Sequence, residues 1–222
     1  MIYKLLLSVC ILIVSSNCEA GILAHHKHLF SIFDNHRTTF FCEQPFSANG
    51  EVLLHHCKNC PPTLSKIQWM PLVPLKQLAQ NFPCYQHKIC VNSDGQRFKG
   101  LRCCQLIDKS YQRMRIDLYN FVPEISIIKQ QRGNYVFGHS PEISAKKGCH
   151  FIVDKKHKLI EPAPSIRGWI ARTYLYMKKT YGLKLSEQEY ALFIQWNQQY
   201  PVSPWEREHD EKIRQIQRSS KI

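Results

Sequence analysis

The sequence predicts an α+β fold, with a disulfide-rich, strand-containing amino-terminal half and a helical carboxy-terminal third. Three observations carry that expectation. The cysteines all lie before residue 150, short apolar runs broken by Gly, Pro and Asn occupy the same half, and helical spacing of apolar residues is confined to the stretch after Ile166.

Residues 1–20, MIYKLLLSVCILIVSSNCEA, read as a cleaved secretory signal peptide: a basic start at Lys4, an apolar run from Leu5 to Val14, and Ala20 at the cut. A membrane-spanning helix needs about 20 apolar residues, roughly twice this run, so no stable membrane anchor is expected. Ser15, Ser16 and Asn17 are a poor approach to a lipidated Cys18. With no repeat, low-complexity linker or long Gly/Ser run, residues 21–222 are read as a single domain, expected to be monomeric and either periplasmic or secreted.

Loss of the peptide removes Cys10 and Cys18 and leaves Cys42, Cys57, Cys60, Cys84, Cys90, Cys103, Cys104 and Cys149. An even set in an exported chain points to disulfides, with the connectivity open. The neighbours Cys103 and Cys104 are expected to bond to different partners, because a vicinal bridge is strained. The gap between Cys57 and Cys60 also matches a zinc knuckle that Cys84, Cys90 or His87 could complete, although an oxidising compartment favours disulfides.

Strands are expected at Thr39–Cys42, Glu51–Leu54, Ile67–Val73, Asn134–Phe137 and His150–Val153. Ile166, Ile170, Tyr174, Met177 and Tyr181 then recur at helical spacing, with Gly182 as the stop. A second helix is expected at a capping box of Ser186 with Glu189, with Leu185, Leu192, Phe193, Trp196 and Tyr200 making its apolar face. A third starts at Ser203, with Pro204 in its first turn and Glu206 completing another box. These aromatic stripes are core rather than cofactor contacts. The formal net charge of +13 favours polyanions such as nucleic acid, acidic polysaccharide or anionic lipid, without choosing among them.

The words of the helical third are more specific. IRGWIARTYLYMKKTYGLKLSEQEYALFIQWNQQYPVSPWEREHDEKI, Ile166 to Ile213, closely resembles the carboxy-terminal part of the bacterial endonuclease I family, whose pattern runs R-G-x-[IV]-A-R-x-x-x-Y-M, L-S-x-Q, W-N-x-x-Y-P-V and W-E-x-E-x-D. Upstream, TFFC at Thr39–Cys42, DLYNFVP at Asp117–Pro123 and RGNYVF at Arg132–Phe137 fit the same family. The resemblance implies a ββα-metal (His-Me finger) nuclease fold and a non-specific nuclease acting on nucleic acid. In such a fold a histidine is the general base for the attacking water, and Mg²⁺ is held by an acidic residue and an asparagine.

Against the family pattern E-W-E-H-V-V-P, this chain reads Gln68-Trp69-Met70-Pro71-Leu72-Val73-Pro74. The acidic ligand is replaced by Met70 and the general base by Pro71. The resemblance leaves Asn120 as half a metal site, puts Tyr119 where the family has histidine, and puts Arg207 where it has a cysteine. Arg132, Arg167 and Arg172 occupy family arginine positions and are the candidate phosphate contacts. The expected function is therefore a pseudo-nuclease that binds DNA or RNA with no intact catalytic centre and no cofactor. An active Mg²⁺-dependent endonuclease, with His55, His56 or His87 brought in by the fold, is the alternative, and a secreted protein-interaction module is a further one.

Overall fold

A computed structural model describes residues 24–53, 66–140 and 151–219 of the chain. The expected signal peptide, Cys57, Cys60, Cys149, His55 and His56 lie outside the described residues. A helix, α1, covers residues 24–32. Strand β1 (Ile67–Pro71) pairs antiparallel with β4 (Phe121–Ile125), placing Met70 opposite Val122 and Pro71 opposite Phe121. Between them come α2 (Leu75–Ala79), α3 (Pro83–Gln86), the short ribbon β2 (Cys90–Val91) and β3 (Arg97–Phe98), α4 (Leu101–Ile107), α5 (Lys109–Met114) and a 3-10 turn at Leu118–Asn120. Helix α6 (Ser126–Arg132) leaves β4 directly. Beyond it, β5 (Val136–Phe137), β6 (Phe151–Asp154) and β7 (Leu159–Pro162) form a sheet in the order β5-β7-β6.

The carboxy-terminal helices follow the sequence closely. Helix α7 (Pro164–Tyr181) has proline in its first turn, where a missing N–H costs nothing. It stops at Gly182, whose left-handed φ of 69° lets its N–H reach the Lys178 carbonyl at 3.0 Å. Helix α8 (Glu187–Gln199) starts at the complete Ser186–Glu189 capping box. Helix α9 (Pro204–Ser219) starts where Ser203 Oγ accepts from the Glu206 N–H at 3.0 Å. Only half of that expected box forms, because Arg172 takes the Glu206 carboxylate.

Helices α7 and α8 touch at the backbone. A Cβ on Gly168 would sit 2.3 Å from the Tyr200 carbonyl oxygen, so only glycine admits this approach. The apolar stripe of α7 (Ile170, Tyr174, Met177) is buried with Phe193 and Trp196 of α8 and with Met70, Leu72 and Val122 of the β1–β4 pair. A second cluster joins Leu29 and Ile32 of α1 to Trp69, Leu118 and Ile213. Since Trp69 and Met70 feed different clusters, β1 is covered on both faces.

Two strand expectations fail. Residues 39–42 form a turn: the Glu43 N–H bonds back to the Thr39 carbonyl at 3.0 Å, and the buried Glu124 carboxylate holds the Phe41 N–H at 2.6 Å. Glu51 and Val52 make only isolated bridges, to Lys66 and Phe46. The cysteine reading fares better. Cys84 bonds to Cys104 and Cys90 to Cys103, so the vicinal pair does split between partners, and Cys42 is also disulfide-bonded. Cys84 and Cys90 are thereby removed from any zinc knuckle.

Candidate nucleic-acid site

The functional geometry starts where β1 ends. Its last residues, Met70 and Pro71, pass into Leu72 and Val73, and four groups pin that exit. The Leu72 N–H donates to the Asn120 carbonyl at 2.8 Å. The Leu72 carbonyl accepts from Arg132 Nη2 at 2.5 Å and from the Tyr174 hydroxyl at 3.2 Å. Asn120 Oδ1 accepts from the Val73 N–H at 2.7 Å, and its Nδ2 donates to the Val73 carbonyl at 3.1 Å.

Asn120, the expected metal ligand, is fully buried with its amide committed in both directions to Val73. Met70 is 1 % exposed and offers a soft thioether. Pro71 offers no side-chain donor at all. Asp117, just upstream, accepts from the Tyr119 N–H at 2.9 Å and from the hydroxyls of Tyr176 at 2.9 Å and Tyr181 at 2.6 Å. These groups do not make an oxygen-ligand set for Mg²⁺. Among the described residues no three His, Cys, Asp or Glu side chains cluster as a metal site.

What surrounds Met70 and Pro71 instead is positive. A cavity of about 270 Å³ is lined by both residues together with Pro74, Leu75, Leu101, Lys76, Lys129 and Arg132. Arg132 is 1 % exposed, its guanidinium lies 4.9 Å over the Phe137 ring, and its Nε has no hydrogen-bond partner among the described residues. Burial pulls its pKa below the ordinary value, yet a guanidinium stays charged in proteins. Burial also lowers the pKa of half-buried Lys129, whose ammonium reaches the Trp69 carbonyl at 3.4 Å. No carboxylate is among the described residues lining this cavity, so its cations have no anionic partner there, although the Arg132 guanidinium already donates to the Gly133 carbonyl at 3.0 Å and to that of Leu72.

The other two arginines expected at phosphate are engaged inside the fold. Arg172 forks onto Glu206, Nε to Oε1 at 2.5 Å and Nη2 to Oε2 at 2.6 Å, and also reaches the Tyr200 carbonyl at 2.8 Å. Arg167 binds Glu161 at 2.9 Å and the Pro162 carbonyl at 3.0 Å, and lies over the Trp196 ring. Both guanidinium groups join α7 to its neighbours. His87 is exposed after α3 and does not line the Met70–Pro71 cavity. Lys76 and Lys129 were missed in the sequence.

Comparison with known proteins gives these observations a context. The model of the Endonuclease I family matches residues 88–221. An extracellular deoxyribonuclease of Aeromonas hydrophila is 29% identical over 231 residues, covering 97% of this chain and 94% of the relative. Endonuclease-1 of Buchnera aphidicola subsp. Acyrthosiphon pisum (strain APS) is 35% identical over 154 residues, 69% of this chain and 57% of the relative. A periplasmic deoxyribonuclease of Aeromonas hydrophila is 28% identical over 86% of this chain and 79% of its own length.

Proposed function

Since the chain belongs to the endonuclease I family, we propose that it binds nucleic acid through the phosphate backbone at the position of the family's hydrolytic centre and lacks efficient cleavage. The antiparallel β1–β4 pair running into α6 is read as the ββα unit of that family. The single observation that carries the proposal is the cavity at Met70 and Pro71, lined by Lys76, Lys129 and Arg132 and, among the described residues, by no carboxylate. A phosphate offers those cations the negative partner they lack within the cavity. The protein is periplasmic or secreted, like its relatives named extracellular and periplasmic, and among the described residues no helix is long and apolar enough to cross a membrane. It is read as a monomer.

Replacing the general base by proline removes a contribution typically worth about 10²–10⁴-fold in rate. Loss of the acidic ligand adds to that deficit, though the two effects need not be additive. A second reading, an active Mg²⁺-dependent endonuclease with a diverged centre, is favoured by the deoxyribonuclease names of relatives spanning most of the chain.

Plasmid nicking with Mg²⁺ and with chelator, run on wild type and on the double variant Met70→Glu, Pro71→His, separates the two readings. The proposal expects cleavage only in the double variant, and duplex binding by wild type whose log affinity falls with log salt at a slope of roughly −3, as for about three neutralised phosphates. Chelator-sensitive nicking by wild type at the rate of the double variant would establish the second reading instead.

A further inference from the structure

A second cavity, of about 410 Å³, opens between α7, α9 and the 3-10 turn and shares no lining residue with the Met70–Pro71 cavity. Its walls carry four aromatic rings, with Arg172, Thr173, Glu206 and Asp210 beside them. Trp169 and His209 lie 4.7 Å apart between ring centroids, and Tyr119 and Tyr176 lie 4.6 Å apart. His209 is 2 % exposed, and its Nε2 has no hydrogen-bond partner among the described residues. A buried imidazole nitrogen left unpaired costs free energy unless a ligand or water satisfies it. At the mouth stand two exposed cations, Arg207, which donates to the Val202 carbonyl at 2.9 Å, and Arg214, which pairs with Asp210.

We propose that this cavity receives one unstacked base of single-stranded nucleic acid, with its ring against the aromatic walls, its polar edge on His209 Nε2, and its flanking phosphate at Arg207 and Arg214. The proposal deepens the nucleic-acid reading above and rests on it. Each element matches the ligand's chemistry. Flat π-faces meet aromatic side chains, which accept any base. An unpartnered polar nitrogen beside the aromatic rings fixes orientation. Arginine at the rim supplies several N–H donors suited to phosphate. His209 meets the base as neutral imidazole, because burial lowers its pKa to about 3.

The test compares a short oligothymidylate with an abasic strand of equal length, which keeps every phosphate and no base, by fluorescence anisotropy at fixed salt. Wild type is expected to bind the base-bearing strand about tenfold more tightly. Val202→Trp, a change at an exposed rim position, is expected to erase that preference and leave abasic affinity unchanged. His209→Phe should reduce the preference, with folding checked by circular dichroism. Equal wild-type affinity for the two strands would overturn the base cavity while leaving backbone binding in place. A preference that survives Val202→Trp would overturn it too. If neither strand nor a duplex binds, the nucleic-acid reading itself falls, and this proposal with it.

Discussion

Asn120 and Val73 are joined by two hydrogen bonds running in opposite directions, one accepted by the side-chain amide at 2.7 Å and one donated by it at 3.1 Å. The amide therefore clamps the exit of β1 onto the turn before β4. Asn120→Ala would leave a buried N–H and a buried carbonyl unpaired, and is expected to lower unfolding free energy by about 2–4 kcal/mol, read by urea denaturation. Loss of any activity in this variant consequently has to be judged beside its stability.

Arg172 and Glu206 tie α7 to α9 through a two-point ion pair whose side chains are 21% and 13% exposed. Arg172→Ala should cost about 2 kcal/mol of stability, less than breaking a fully buried pair because water still screens part of it. Its affinity for duplex should change by less than about twofold, since this arginine contributes no phosphate to the salt slope. A flattened salt dependence in Arg172→Ala would place it at the nucleic acid after all.

Two buried groups act on stability with opposite signs as pH changes. Burial raises Glu124 to about 7. The unfolded chain therefore gives up this proton first, and the contribution is complete below about 4.5, then falls by about 3 kcal/mol as pH climbs to about 7. Burial lowers His209 to about 3, so its contribution is complete above about 6.5 and is lost as pH drops toward about 3. Wild type minus Glu124→Gln, measured by denaturation at each pH, should give the first curve, and wild type minus His209→Phe the second. Reversed slopes would refute the assignments.

Gly168 faces a backbone atom that cannot move aside. Gly168→Ala places a methyl group 2.3 Å from the Tyr200 carbonyl oxygen, and is expected to destabilise by about 1–3 kcal/mol and lower Tm in a thermal melt. An unchanged Tm would mean that α7 and α8 can separate without penalty.

These residues also show what the sequence could and could not reveal. Helices α7, α8 and α9 were legible because their periodicity, caps and stops are local signals that agree with one another. Helices α2 to α6 run for four to seven residues, too short to display a period, and α3 and α4 are joined by the Cys84–Cys104 bond. The turn at residues 39–42 is stabilised by Glu124, over eighty positions away, so its strand-like composition misled. Met70 and Pro71 could be placed through their neighbours Trp69, Val73 and Pro74. The cationic cavity could not, because Lys76, Lys129 and Arg132 meet only after β1, α2 and α6 fold together. The Asn120 clamp and the His209 cavity were invisible for the same reason.

The paired cysteines have a further consequence for when this protein can act. The Cys90–Cys103 loop lies inside the Cys84–Cys104 loop, and both end on α4, whose first residue, Leu101, forms one wall of the Met70–Pro71 cavity. Reduction frees that wall, so dithiothreitol should weaken phosphate binding in a titration at constant salt. On the proposed reading, the two nested bonds tie phosphate binding at this cavity to an oxidising compartment.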